Sequence, residues 1–92
     1  MSNRVTCIRK RDRNNAHERI AAIGGQNADG RRWELAEDEA IASIEQGQYS
    51  FYVSVNGRSV DVVIATHNGR KYLKTRADGY SPDNLLSLPT CP

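Results

Sequence analysis

Apolar and polar positions alternate most regularly between residues 49 and 66. Tyr49, Phe51, Val53 and Val55 fall on one side of a first run, and Val60, Val62 and Ile64 on one side of a second. A period of two is the pattern of a strand with one buried face. Asn56-Gly57 separates the two runs. Both central residues of a type I′ turn need positive φ, which Asn and Gly adopt at least cost. The pattern therefore predicts a β-hairpin of strands 49–55 and 58–66. His67-Asn68-Gly69 marks another turn, and residues 70–75, carrying Tyr72 and Leu73, complete a three-stranded meander.

The remaining pattern is shorter-ranged. Residues 5–9 read as a strand, residues 10–17 as a polar loop rich in Asn and Asp, and residues 18–23 as a second strand that ends at Gly24-Gly25. These two strands are expected to pair antiparallel. Residues 24–30 read as a turn region, and residues 31–35 as a short strand that anchors Trp33. The helical signal lies in residues 36–46, where Ala36, Ala40, Ile41 and Ile44 share one face. Glu37, Asp38 and Glu39 crowd its first turn, where the positive end of the helix favours carboxylates. Gly47 is placed to end it in a left-handed conformation. Near the C-terminus, Ser81 can cap a single helical turn and Pro82 fits its first position. Leu85, Leu86 and Leu88 are expected to fold back over a sheet edge or a core opening. The sum is an α+β chain read as a single domain over residues 1–92, with its core at about 4–91. It has a mainly antiparallel sheet of about five strands, one helix and a C-terminal turn of helix.

Composition changes this picture in two places. Leu, Ile, Val and Phe supply only 18 of 92 residues, which approaches the composition of disordered chains, but the net charge is only +2, far from the strong self-repulsion that disorder also requires. The start, MSNRVTCIRK, has no apolar signal region, and the longest apolar stretch, Val62-Val63-Ile64-Ala65, is too short to span a bilayer. A cytoplasmic protein with no membrane partner is expected. In that compartment Cys7 and Cys91 are expected as two free thiols. With His17 and His67 they lack the spacing of a zinc site, so no metal is expected.

Charge is uneven along the chain. Arg4, Arg9, Lys10, Arg11 and Arg13 meet only Asp12 in the first thirteen residues, whereas residues 34–45 hold five carboxylates and no Lys or Arg. Arg9, Arg11, Arg13, His17 and Arg19 are the candidate ligand-binding residues, because guanidinium groups bind phosphates and carboxylates bidentately. The competing reading is a turn held by Asp and Asn side chains, with Arg and Glu in surface ion pairs. Tyr49, Phe51, Tyr52 and Tyr72 lie near Arg58, Arg70, Lys71, Lys74 and Arg76, and aromatic sheets can stack bases. The competing reading makes those rings core. No G-x-S-x-G, H-E-x-x-H or Walker sequence occurs, and residues 24–30 lack dinucleotide-binding spacing. These features favour a small non-catalytic binding or interaction module without a cofactor, for an anionic partner such as nucleic acid, or for an acidic protein surface. The alternative is a small enzyme or enzyme subunit using Arg13, His17 and Arg19.

The runs CIRKRDRNNAHERIAAIGG, WELAEDEAIASIEQGQYSFYV, KYLKTRADG and NLLSLPTC together resemble the bacterial family known as domain of unknown function 3892, over about residues 5–91. The resemblance implies a small bacterial protein with no established activity, so it transfers no catalytic residue. Ala36 departs from the Ser or Thr expected before the helix. As an N-cap it forfeits about 1 kcal/mol and shifts the expected helix start by a residue or two.

Overall fold

The computed structural model describes residues 2–11, 19–77 and 83–91. Among them the element order is β1 (Ser2–Arg4), β2 (Cys7–Lys10), β3 (Ile20–Gln26), β4 (Arg32–Ala36), α1 (Glu37–Glu45), β5 (Ser50–Val55), β6 (Arg58–His67), β7 (Arg70–Thr75) and α2 (Asp83–Leu86). The α+β class holds, but with seven strands in two sheets among the described residues where about five were expected. One sheet runs β1-β5-β6-β7 and the other β2-β3-β4.

The meander forms as its alternation requires. Val55 pairs with Arg58 across the turn, where Asn56 and Gly57 have φ of 50° and 80°. His67 pairs with Arg70 in the same way, with Asn68 and Gly69 at φ of 51° and 78°. Phe51, Val53 and Val62 are buried on the inner side. Tyr49 is the exception to its run, lying exposed ahead of the first residue of β5.

The expected strand 5–9 is instead split. β1 pairs parallel with β5, and the Val5 N–H donates to the Tyr52 carbonyl at 2.8 Å. One residue later the Thr6 N–H donates to the Gly24 carbonyl at 2.9 Å. The chain therefore changes sheets between Val5 and Cys7, and β2 pairs antiparallel with β3. This crossing lies between residues of opposite sheets, so periodicity along the chain carried no sign of it.

Gly24 and Gly25 also differ from expectation. They lie inside β3, not in a turn, and the turn comes at residues 27–30, where the Gly30 N–H donates to the Asn27 carbonyl at 3.0 Å. A Cβ on Gly25 would come within 2.2 Å of the Arg4 carbonyl oxygen, and one on Gly24 within 2.9 Å of both cysteine sulfurs. Close approach of neighbouring chain, rather than a change of direction, places the two glycines there.

α1 begins at Glu37 with Ala36 as its N-cap, which contributes no side-chain hydrogen bond. Glu39 supplies part of what is missing, its Oε1 accepting the Ala36 N–H at 3.1 Å. Gly47, at φ 73°, follows the helix as expected. Ala40 and Ile41 face a core shared by both sheets, in which Ile8, Ile23, Val53, Leu73 and Leu85 have no exposed surface. Leu85 brings α2 onto this core, as the leucine pattern suggested. Ser81 and Pro82 lie outside the described residues.

Candidate binding site

The basic N-terminal run meets the acidic segment in space. Arg9 on β2 and Glu34 on β4 reach across β3, with Arg9 Nε 2.8 Å from Glu34 Oε2. The β3 residues beneath them are Ala22 and Gly24, partners of Arg9 and Glu34 in the strand register. Small residues there leave room for two long side chains to lie over the strand. Arg11 is 3.8 Å from Glu37 Oε1. The Arg11 N–H also donates to the Arg19 carbonyl at 2.6 Å, so the structure brings Arg11 and Arg19 together across two chain segments. Arg13 and His17 lie outside the described residues.

Glu37 is 2% exposed, although it sits in the acidic first turn of a helix. Arg70 donates to its Oε1 at 2.9 Å, so this carboxylate ties α1 to β7 as well as to Arg11. Burial raises its pKa above the ordinary value, opposed by Arg70, by the Leu73 backbone and by Arg11. Its other oxygen, Oε2, has no hydrogen bond. A buried carboxylate held by two guanidinium groups and lining none of the cavities described below is a structural tie between elements. Lys71 with Glu45, and Arg76 with Asp61, form further ion pairs on exposed surface.

The aromatic residues do not form the open basic platform that the sequence suggested. Phe51 and Tyr72 are buried, Tyr52 is half-buried and Tyr49 is exposed. Trp33, which the sequence marked only as an anchor, is the residue that makes a cleft. It faces Gly25 in the β3–β4 register, and a Cβ on Gly25 would meet its ring at 2.9 Å. The missing side chain lets the indole lie close over the strand. From there it contacts Phe51, with ring centroids 5.4 Å apart and planes inclined by 34°.

Trp33, Phe51, Tyr49, Leu35, Asn3 and Asn27 line a cavity of about 200 Å³. The walls come from β1, β4, the start of β5 and the turn after β3, so it lies where the two sheets meet. Among the described residues no Asp, Glu, His, Lys, Arg or Cys lines it. Two carboxamides and a phenol can each donate and accept hydrogen bonds there. The sequence held one clue to this site, the register of Arg32–Ala36 against a strand containing Gly25. That pairing became visible only once β3 was seen to run through both glycines.

The two cysteines correct another expectation. Cys7 and Cys91 are joined as a disulfide, with Cα atoms 4.8 Å apart and 84 positions apart in sequence. They are therefore not free thiols. The Ile8 N–H donates to the Pro89 carbonyl at 3.0 Å, and the Cys91 N–H to the Ile8 carbonyl at 2.9 Å. Ile8 and Thr90 thus form a parallel bridge along the outer edge of β2. This addition brings Cys91 beside Cys7, over the bare backbone of Gly24. No spacing rule could pair cysteines at opposite ends of the chain, because their approach depends on tertiary folding.

The sequence profile of the family described as Protein of unknown function (DUF3892) matches residues 4–89. No curated protein and no solved structure gives a significant match to the chain.

Proposed function

We propose that this chain, which belongs to the DUF3892 family of proteins of unknown function, is a small non-catalytic binding module whose cleft at Trp33 takes one planar ring of a larger partner. The observation that carries this reading is the lining of that cleft: aromatic walls, carboxamide edges and, among the described residues, no group able to transfer a proton near pH 7. At about 200 Å³ it is smaller than the ~300–1,000 Å³ of sites for drug-sized ligands. It suits a single ring better than a whole metabolite.

A base of single-stranded nucleic acid is the ligand this chemistry fits best. Aromatic side chains stack on base faces, and Asn side chains match the donor and acceptor edges of bases. The basic run then supplies phosphate attraction of modest size, because Arg9 and Arg11 are already partnered by Glu34 and Glu37. The bacterial cytoplasm is the compartment we propose, where cellular thiols would act on the Cys7–Cys91 bridge. In the described residues no helix is long and apolar enough to cross a membrane.

Trp33 is the only tryptophan in the chain, so its fluorescence reports the cleft directly. Titration with single-stranded DNA and RNA oligonucleotides at low salt is expected to quench it. Asn27→Ala is expected to weaken binding about tenfold, through loss of one hydrogen bond to a base edge. An emission spectrum unchanged by every oligonucleotide, together with no binding by anisotropy, would remove nucleic acid as the ligand.

A further inference from the structure

We propose that the Cys7–Cys91 bridge is a site of reversible exchange with low-molecular-mass thiols, entered at Cys7, and that its opening releases residues 89–91 from the edge of β2. The two sulfurs are unequally placed. Cys91 is 6% exposed, whereas Cys7 is half-buried. A surface cavity of about 220 Å³ is lined by Cys7, Arg32, Pro89 and Thr90 among others, but not by Cys91. This cavity gives an approach to Cys7 that Cys91 does not share. A neighbouring cavity of about 130 Å³ contains both cysteines, and Arg32 lines it too. Glu34 also lines the smaller cavity but is paired with Arg9, so Arg32 supplies the charge that draws an incoming thiolate.

The exchange balances without any further oxidant or reductant. A thiolate RS⁻ attacks Cys7 Sγ, forming an S–S bond to it as the Cys7–Cys91 bond breaks. The electron pair of the broken bond stays on Cys91 Sγ, which takes a proton from water. A second RS⁻ attacks the outer sulfur of the mixed disulfide, giving RSSR and the Cys7 thiolate. Two thiols thus supply the two electrons that reduce the bridge, and RSSR drives the reverse reaction.

What opens is set by how the tail is held. Residues 89–91 meet β2 through the two backbone hydrogen bonds at Ile8 and through the bridge itself. α2 is held separately, by Leu85 in the core, and the Leu88 N–H donates to the Leu85 carbonyl at 3.1 Å. Loss of the bridge therefore frees the tail beyond Leu88 and leaves α2 docked. The exposed edge of β2 then carries an unpaired N–H and C=O at Ile8, a surface on which another strand can add.

The test uses the full chain without denaturant. It is treated with reduced glutathione, quenched with iodoacetamide and mapped by peptide mass spectrometry. The expected early product carries glutathione on Cys7 and the alkyl group on Cys91. Hydrogen exchange at the Ile8 and Cys91 amides should then accelerate about tenfold or more beyond the uniform acceleration that loss of the loop restraint gives the β6 and β7 amides. Arg32→Gln should slow opening about threefold, the scale of one exposed charge interaction. Cys91→Ser should show the same local loss of protection with no reagent added. Glutathione found on Cys91, or opening no faster than exchange of the β6–β7 amides, would overturn the proposal. So would acceleration at Ile8 and Cys91 no greater than at the β6 and β7 amides, in either the treated protein or Cys91→Ser.

Discussion

The β5–β6–β7 meander and the β2–β3–β4 sheet are similar in kind, each a set of three neighbouring antiparallel strands, yet they are specified in opposite ways. In the meander every pairing is closed by a two-residue turn whose residues adopt the positive φ they are chosen for. In the other sheet, β2 and β3 are separated by a long polar stretch. Its outer edge is finished by residues 89–91, from the far end of the chain. Local turn chemistry sets register in the first region. Close approach does so in the second, through a disulfide, two glycines without Cβ clearance and a strand that changes sheets. The meander should therefore tolerate substitution in proportion to local strain, whereas the closed sheet should fail through contacts that lie far apart in sequence.

The sharpest way to break the comparison is to remove the bridge. Closing a loop whose ends lie 84 positions apart restricts the unfolded chain by about 4–5 kcal/mol in the chain-entropy picture. Cys7→Ala with Cys91→Ala is expected to lose close to that amount in urea unfolding, and the oxidised wild type treated with dithiothreitol should match it. A loss below about 1 kcal/mol would show that the tail does not depend on its staple.

Gly25→Ala follows in size. Its Cβ would sit 2.2 Å from the Arg4 carbonyl oxygen, and backbone yields less readily than a flexible side chain. A cost of about 3 kcal/mol is expected, with a shift in Trp33 fluorescence because the indole lies over the same residue. Gly57→Ala tests the meander in the same units. Nothing lies within 4 Å of a Cβ there, and only its φ of 80° is unfavourable, so the expected cost is about 1 kcal/mol. Equal losses at the two glycines would end the contrast between steric and conformational demand.

The smallest effect concerns Glu37, which joins the two regions through Arg11 and Arg70. Its folded pKa is raised above the ordinary value of 4.5, so the folded state holds that proton more tightly than the unfolded chain does. The resulting stabilisation is full below the ordinary value and is lost as pH rises through the raised one. Wild type is therefore expected to gain stability relative to Glu37→Gln as the pH falls from neutral toward 4.5. A constant difference between the two across that window would show that the carboxyl is not desolvated as described.

The amino-acid sequence by itself determined the elements whose causes are local. Alternation and the Asn-Gly pair set the hairpin, the acidic first turn and Gly47 bounded the helix, and the leucines near the C-terminus marked a segment that packs back on the core. Each rests on residues within a few positions of one another, where steric preference and burial period act directly. Only the tertiary structure decided the rest. Gly24-Gly25 reads equally well as a turn until Arg4, Trp33 and the two sulfurs are seen crowding it. The opposed charges of the N-terminal run and the helix segment read as separate faces until β3 brings Arg9 over to Glu34. Trp33 and Phe51 come from strands of different sheets, and Cys7 and Cys91 from opposite ends of the chain. Contacts of that kind depend on how sheets pack, and a one-dimensional pattern records which residues are buried but not which ones meet.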